Sequence, residues 1–207
     1  MTRTQSPRIG VVGLPGSWST EALADAVERR TGFRCVIDLS LCGMDLERGS
    51  VAVGDVDLCK LDGLLVKKIG ESYSEHMLDR LELLRYVNER GVPVFSKPAS
   101  ILRLLDRLSC TVTLSAAGIP MPPTMVTENV DAALAAVEQY GEAVVKPLYS
   151  TKARGMQVMR AGDESTRRNL EAHRASNPMI YVQKRLAIPE RDLGVVFLGG
   201  EYVGTRS

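Results

Sequence analysis

The sequence predicts an α/β protein in which a parallel-sheet domain precedes a second, α+β domain. Apolar runs of strand length alternate with helical periodicity over residues 1–97, the pattern of a parallel sheet built from βα units. Helical segments follow over 98–120, where we expect a connector. The prolines of the GIPMPP segment, 118–123, force an extended chain, and strand patterns resume over 121–207. The predicted organisation is therefore two domains joined by a helical connector.

The first domain is predicted to open with a strand, a helix and a second strand. Its apolar runs favour an extended backbone, and its helical stretches place charged residues opposite an apolar face. In order, the predicted elements are a strand at 8–14, a helix from Ser19 or Thr20 to Arg30, a strand at 33–39, a hairpin within 49–60, a strand at 61–66, a helix at 74–90 and a strand at 92–95.

The turn after the first strand holds Gly13 and Gly16, which permits two interpretations. A glycine-rich turn between a strand and a helix binds nucleotides in dinucleotide folds. Gly-x-x-Gly alone lacks the full spacing of that fingerprint. The pattern favours a role in the turn over cofactor binding.

Lys67 and Lys68 follow the strand at 61–66 directly. Ligands of open α/β sheets bind outside the carboxyl ends of the strands, so these lysines stand where an anionic substrate would meet them. A pair of solvated loop lysines is the alternative.

The remaining elements are predicted from the same patterns. The histidines His76 and His173 fall in predicted helices, where we expect solvated structural side chains. In order, the elements are helices at 98–108 and 109–117, a strand at 124–126, a helix at 130–140, a hairpin of 143–146 and 156–159, a helix at 164–176, a strand at 179–183, and a hairpin of 192–198 and 201–205 about Gly199 and Gly200.

The hairpin at 143–158 carries the clearest chemistry. Its first strand ends at Lys146, and the following loop contains Lys152, Arg154 and Gly155. A lysine supplies a mobile point charge and an arginine a bidentate fork, and both suit phosphate oxygens. The loop is not a Walker A motif, because it lacks the glycine spacing and the Gly-Lys-Ser/Thr ending. An ordinary hairpin with solvated cations is the alternative.

Composition and charge exclude several classes of protein. A chain of 207 residues with 44% hydrophobic and 25% charged residues has the material for a folded core. Its net charge of +1 gives no general attraction to nucleic acid or to an anionic membrane, so any anion site is local. No stretch approaches a membrane span. The four cysteines show neither metal-binding nor disulfide spacing, so we expect free thiols in a reducing cytoplasm.

Motifs through most of the chain resemble the ATP-grasp superfamily and, within it, the RimK-like carboxylate–amine ligases. The order and spacing of the motifs carry this resemblance, and the matching stretches are 62–70 (DGLLVKKIG), 106–108 (DRL), 118–122 (GIPMP), 144–146 (VVK), 182–184 (VQK) and 192–203. The resemblance implies that ATP phosphorylates a carboxylate and that an amine captures the acyl phosphate. Residues 1–97 would then be a pre-ATP-grasp domain, and 121–207 a nucleotide-binding subdomain.

The resemblance also implies a set of nucleotide contacts. The first phosphate-binding lysine of the family falls at Arg107 and the second at Lys146, while the flexible phosphate lid falls at 149–156. The residues implied in binding ATP are Arg107, Lys146, Ser150, Lys152, Arg154, Gly155, Gln183, Lys184, Leu186 and Asp192.

Within this set, the strand end and linker at 183–186 would meet the adenine. Backbone groups of Lys184 and Leu186 would contact the edge of the base, and Asp192 would hold the ribose. The carboxylate donor and the amine acceptor would bind near Lys67 and Lys68. The resemblance leaves a homo-oligomer open.

The sequence departs from the family in three places. Arg107 replaces a lysine, and the lid has Ser150 and Ala153 where the family has more glycines. The family continues beyond the strand at Val203 with an arginine and the ligands for magnesium, whereas this chain stops at Ser207. Magnesium is therefore expected with ATP, but no residue is assigned to it, and we expect an incomplete catalyst.

Three functions remain open at this point. The first is an ATP-dependent carboxylate–amine ligase of RimK-like type. The second is a nucleotide-binding or partner-docking module that needs a second chain for catalysis. The third is a first domain that binds an anionic peptide or metabolite near Lys68.

Overall fold

A computed structural model of the chain describes residues 6–72, 76–150, 153–187 and 193–206. The chain divides between Thr113 and Leu114 into two compact units. None of the helices in the described ranges combines the length and the hydrophobicity of a bilayer span.

The first unit contains a parallel sheet, a small antiparallel sheet and helices. The parallel sheet has the strand order β2-β1-β6-β7, which confirms the predicted parallel-sheet fold. The small sheet has the order β3-β4-β5, and its β4–β5 pair is the hairpin predicted within 49–60. The elements are β1 (Ile9–Val12), α1 (Trp18–Thr31), β2 (Val36–Ile37), β3 (Gly43–Asp45), β4 (Ser50–Val53), β5 (Val56–Asp57), β6 (Gly63–Val66), α2 (His76–Glu89), β7 (Val94–Phe95) and α3 (Pro98–Leu105), and α4 (Arg107–Ala116) leads out of the unit.

Helices cover both faces of the parallel sheet. Val12 on β1 belongs to a buried cluster with Leu64 of β6 and Leu84 of α2. Its neighbour Val11 belongs to a second cluster with Ala24 of α1. Successive residues of a strand point to opposite faces, so the unbroken apolar run of β1 is explained by burial on both sides.

The helix α1 begins earlier than predicted. Ser17 is its N-cap residue, rather than Ser19 or Thr20, and its side chain makes no capping hydrogen bond. The carboxylate of Glu21 accepts the backbone N–H of Gly16 instead, at 2.7 Å. The glutamate thus holds the turn that precedes the helix, while the backbone N–H of Thr20 donates to the carbonyl of Ser17, at 2.9 Å.

Around β2, one prediction was wrong in extent and one strand was missed. The strand predicted at 33–39 is only Val36–Ile37, because Asp38 accepts the backbone N–H of Ser40 and starts a short 3-10 turn. Strand β3 was not predicted. Its residues carry no alternating apolar pattern, and it forms by pairing with β4.

The second unit is built on a four-stranded antiparallel sheet. The strand order is β10-β9-β11-β8, and the predicted hairpin of β9 and β10 is confirmed by the pairing of Val145 with Gln157. The elements are β8 (Thr124–Thr127), α5 (Val130–Tyr140), β9 (Glu142–Lys146), β10 (Gln157–Arg160), α6 (Thr166–Ser176), β11 (Ile180–Lys184), β12 (Gly194–Leu198) and β13 (Glu201–Arg206).

One face of this sheet packs against α5 and α6. Val145 and Val182 from the sheet join Val137 of α5 and Leu170 of α6 in a buried cluster. The prediction of a solvated His173 was wrong, because its side chain lies buried on α6 and is only 5% exposed. The few apolar residues of α6 concealed that this histidine shares the buried face of the helix with Leu170.

Burial lowers the pKa of His173, because desolvation disfavours the charged imidazolium. Its Nε2 atom has no hydrogen-bond partner among the described residues. The unfolded chain takes up a proton near the ordinary pKa of histidine, and the folded chain takes it up only at lower pH. Protonation therefore favours unfolding, and the stability due to the neutral side chain is lost as the pH falls.

The free energy of unfolding is accordingly expected to decrease between about pH 7 and pH 5. Urea unfolding at the two pH values would measure this decrease. The His173→Leu variant should lose less stability over that interval than the wild type. The matched His76→Leu variant, altered at an exposed residue, should keep the wild-type decrease. An unchanged decrease in His173→Leu would contradict the assignment.

The strands β12 and β13 form a ribbon about Gly199 and Gly200, as predicted. Within the described residues they pair only with each other. Large apolar side chains of the ribbon are exposed, including Phe197 at 62% and Leu198 at 77%.

Candidate functional site

The candidate site lies on the face of the second sheet opposite α5 and α6. Along β9, Ala143 and Val145 are buried in the core beneath the helices. Because side chains alternate along a strand, Glu142, Val144 and Lys146 point to the other face. One face of β9 therefore carries polar side chains, and the other face packs in the core.

Strand register brings polar residues of three strands together on this face. Lys146 of β9 stands opposite Tyr181 of β11, and Val144 stands opposite Gln183. Lys146 and Gln183 are thus diagonal neighbours, within reach of long side chains. On the other side of β11, Thr124 of β8 stands opposite Gln183.

These side chains form a row of hydrogen bonds across the sheet. The ammonium of Lys146 donates to Oε1 of Gln183 at 2.6 Å. Nε2 of Gln183 donates to Oγ1 of Thr124 at 2.9 Å and to the hydroxyl of Tyr181 at 3.3 Å. The hydroxyl of Thr124 in turn donates to the carbonyl of Pro122 at 2.8 Å. The Lys146 ammonium also lies 6.0 Å from the centre of the Tyr181 ring.

Three members of this row, Pro122, Lys146 and Gln183, line an open cavity of about 570 Å³ within the second unit. This volume is in the range of small-molecule sites. Three lining residues are cationic and one is acidic, so the cavity attracts anions locally although the chain is nearly neutral. The lining residues are Pro122, Glu142, Val144, Lys146, Gln183, Lys184, Arg185, Leu186 and Ala187.

The acidic residue of the cavity is already engaged by two arginines. Oε1 of Glu142 lies 2.9 Å from Nη1 of Arg185 and 3.0 Å from Nε of Arg160. The backbone N–H of Arg185 also donates to the carbonyl of Glu142, at 2.9 Å. This bridge orients the chain as it leaves β11 and leaves Lys146 and Lys184 as the lining cations outside it.

The end of β11 has a backbone acceptor that its neighbouring strand cannot satisfy. The N–H of Lys184 donates to the carbonyl of Pro123 at 2.8 Å. In an antiparallel ladder the opposite residue returns such a bond, but proline has no N–H. Pro123 therefore cannot satisfy the carbonyl of Lys184, which can accept a hydrogen bond from a ligand instead.

The structure brings together four of the residues that the sequence predicts to bind ATP. These are Lys146, Gln183, Lys184 and Leu186, and all of them line the cavity. Ser150, Arg154 and Gly155 lie in the loop between β9 and β10 and do not line it.

Three other predicted residues lie outside the described part of the second unit. Arg107 is the first residue of α4, in the first unit, where Thr111 donates to its backbone carbonyl. Lys152 and Asp192 lie outside the described residues. The predicted roles of all three in ATP binding stay predictions.

Lys67 and Lys68 lie at the carboxyl end of β6 with exposed side chains. Their backbone N–H groups both donate to the carbonyl of Val12, at 2.8 and 3.2 Å. These two backbone bonds hold the end of β6 against β1. A role in substrate binding stays a prediction.

The loop after β9 folds back on itself in its described part, 147–150 and 153–156. A Cβ atom on Gly155 would lie 3.0 Å from the Pro147 ring, so the loop approaches the strand end closely. Ala153 has a φ of 59°, in the left-handed region that glycine adopts most easily. Ala153, at a position where the resemblance predicts glycine, thus holds a glycine-like backbone.

Ala153→Gly is therefore expected to change stability by less than about 0.5 kcal/mol, because relief of the left-handed strain offsets the extra freedom of the unfolded chain. The same substitution at Ala135, an exposed residue inside α5, should destabilise by about 1 kcal/mol. Chemical denaturation of both variants measures the difference. Equal destabilisation would show that Ala153 does not carry this strain.

Sequence reasoning missed several residues of the site. Thr124, Tyr181, Glu142 and Arg185 were not named, although the period-2 pattern of the strands places Glu142 on the same face as Lys146. The missing information was the register between strands, which decides which side chains meet.

No site for a metal is evident in the described part of the chain. Across those residues, no three His, Cys, Asp or Glu side chains come together in a way that could hold an ion. We therefore assign no residue to magnesium.

Comparison with known proteins relates the chain to a group of ligases. No protein-family model matches it. Over 206 residues it is 27% identical to the tetrahydromethanopterin:alpha-L-glutamate ligase of Methanosarcina acetivorans, an alignment that covers 92% of this chain and 64% of that protein. The chain thus spans slightly less than two thirds of the length of this relative.

Solved structures share its fold. D-alanyl-alanine synthetase A from Vibrio cholerae matches with a TM-score of 0.69 at 15% identity, over 97% of this chain and 66% of that one. A RimK domain ATP-grasp protein from Sphaerobacter thermophilus matches with a TM-score of 0.65 at 22% identity, over 87% of this chain and 64% of that one. The fold of the chain is thus similar to that of ATP-grasp proteins, and a sequence relative of the chain is a glutamate ligase.

Proposed function

We propose that the chain is the nucleotide-binding part of an ATP-dependent carboxylate–amine ligase. The observation that carries the proposal is the Lys146 ammonium, held by Gln183 in a cationic cavity that is also lined by Lys184, whose carbonyl Pro123 cannot satisfy. An ammonium binds phosphate oxygens, and a backbone carbonyl accepts from an amino group such as that of adenine. The ammonium would therefore bind the phosphates of ATP, and the carbonyl would bind its adenine.

In the proposed reaction a carboxylate oxygen attacks the γ-phosphorus of ATP, and ADP leaves. The amine nitrogen then attacks the acyl carbon, the C–N bond forms, and phosphate leaves with the carboxylate oxygen and takes up the proton that the amine loses. Protein catalysis of phosphoryl transfer consists mainly of positioning and charge neutralisation. Lys146 is suited to both, because it places a positive charge beside the transferred group.

The substrate classes belong to the same proposal. Glutamate and alanine stand in the names of two of the relatives above, so we propose an amino acid as the amine substrate. We expect magnesium to accompany ATP. The described cysteines are free thiols, which supports a reducing compartment such as the cytoplasm.

Calorimetric titration of the chain with ATP tests the proposal. We expect saturable binding, and weaker binding of adenosine, which lacks the phosphates that Lys146 would contact. A chain that binds no ATP, or that binds adenosine as tightly as ATP, would refute the proposed function.

A second candidate function is favoured by the β12–β13 ribbon. An isolated two-stranded ribbon is marginally stable in water, and exposed apolar side chains such as Phe197 and Leu198 gain from being covered. The chain would then be a nucleotide-binding module that docks with a second polypeptide. It should bind ATP but release no ADP alone with any carboxylate and amine. Turnover by the isolated chain would rule this candidate out.

A further inference from the structure

The hydrogen-bond row across the second sheet has a fixed direction. The hydroxyl of Thr124 has one hydrogen, and it donates this hydrogen to the carbonyl of Pro122 at 2.8 Å. Towards Gln183, Thr124 can therefore only accept. The Gln183 amide must present its NH₂ group to Thr124, and its oxygen consequently faces Lys146.

The opposite orientation of this amide would be unfavourable at both ends. With the amide turned over, its NH₂ group would face the Lys146 ammonium, and both groups are donors. Its oxygen would then face the oxygen of Thr124, whose hydrogen is engaged elsewhere. The Tyr181 hydroxyl, 3.3 Å from Nε2, adds a weaker acceptor on the same side. The carbonyl of Pro122 thus sets the orientation of Thr124, and Thr124 sets the orientation of the Gln183 amide, whose oxygen then faces Lys146.

We infer that Thr124 and Gln183 are positioning residues that hold the Lys146 ammonium ready for the phosphates of the nucleotide. The inference rests on the proposed function and deepens it. It changes the role of Gln183, which the sequence placed at the adenine. Its side chain acts on Lys146, and the base is left to backbone groups at the end of β11.

The physical benefit is preorganisation. A lysine side chain has many rotamers, and holding one of them before the ligand arrives removes that ordering from the binding step. An ammonium carries three N–H donors, so one bond to Gln183 is compatible with bonds to phosphate oxygens. The bond of 2.6 Å orients the ammonium, and because an amide carries no net charge, this bond does not itself cancel the charge.

Thr124→Val tests the inference, because valine keeps the shape and the strand preference of threonine and removes the acceptor. We expect ATP to bind about tenfold more weakly, which corresponds to about 1.4 kcal/mol, while adenosine binds as in the wild type. Thr124→Ser keeps the hydroxyl and should retain wild-type affinity. In a Lys146→Met background, Thr124→Val should have no further effect on ATP binding.

Three outcomes would overturn the inference. They are unchanged ATP affinity in Thr124→Val, equal losses for ATP and adenosine, and equal losses in Thr124→Val and Thr124→Ser. The last two would show that residue 124 acts only on the structure of the strand. Unfolding temperatures of both variants, expected to match the wild type, identify any loss due to misfolding.

A measurement without nucleotide separates this inference from the proposed function. The method is NMR, and the side-chain NH₂ signals of Gln183 are identified by their absence in the Gln183→Leu variant. The NH₂ hydrogens should exchange slowly with solvent in the wild type and in Thr124→Ser. They should exchange as a solvated amide does in Thr124→Val. Fast exchange in the wild type would overturn the positioning role of Thr124 and Gln183, whatever the chain binds. Slow exchange in a chain that binds no ATP would support the hydrogen-bond row and refute only the proposed binding of a nucleotide.

Discussion

Lys146→Met is expected to lower the affinity of the chain for ATP by about a hundredfold, since hydrogen bonds to charged groups contribute about 1.5–3 kcal/mol each. Methionine preserves most of the length of the lysine side chain and removes the charge. Adenosine affinity should change little, because the proposed base contacts lie at the end of β11. Calorimetric titration with both ligands measures the two affinities.

The matched control is Lys60→Met, the same substitution at an exposed lysine of the first unit that pairs with Asp57 at 3.2 Å. It should leave ATP affinity at the wild-type value. Equal affinities in Lys146→Met and the wild type would contradict the role given to Lys146. Equal losses in both variants would point to a general effect of charge instead.

Gly13→Ala is expected to destabilise the chain by about 2–3 kcal/mol, in the upper part of the range for overpacked sites. A Cβ atom at this position would lie 2.5 Å from Oγ1 and 2.6 Å from Cγ2 of Thr20. Thr20 is fully buried on α1, so its side chain cannot turn away into solvent. The helix must shift, and urea unfolding would record the loss.

A double-mutant cycle makes this prediction specific. Thr20→Ala removes both of the close atoms, so Gly13→Ala should be less destabilising in that background by about 1–2 kcal/mol. Gly16→Ala is the control, because a Cβ at Gly16 meets nothing within 4 Å. Its cost comes from its φ of 75° and should not depend on Thr20. Additive effects of Gly13→Ala and Thr20→Ala would contradict the packing role.

The same variant separates the two interpretations of the Gly13 and Gly16 turn. If Gly13 serves helix packing, Gly13→Ala lowers stability and leaves ATP affinity unchanged under folding conditions. The structure supports packing, because Thr20 occupies the space in front of Gly13.

The sequence predicted most elements of the fold, since burial on one or two faces leaves a periodic pattern. The apolar run of β1 and the hairpin around Lys146 were found in this way. Predictions failed where a single polar side chain decided the outcome. Asp38 ends β2 early, and Glu21 holds the turn before α1 by accepting the backbone N–H of Gly16. Neither contact is visible in hydrophobic periodicity.

The site was predictable in part for the same reason. A cation at the end of a strand marks Lys146, and the resemblance to known ligases placed Gln183, Lys184 and Leu186 near it. Thr124 could not be found, because its role depends on the register of β8 against β11. Pro123 reads as a chain breaker in the sequence, and only the strand pairing shows that it leaves the Lys184 carbonyl available.

Acyl-phosphate labelling tests the central claim most directly. An ATP derivative with an acyl group on its terminal phosphate transfers that group to the amine of a nearby lysine, and ATP leaves. Peptide mapping should find the acyl group on Lys146, and excess ATP should prevent the labelling. Labelling that spares Lys146, or that persists at Lys146 in excess ATP, would contradict the claim that this ammonium meets the triphosphate.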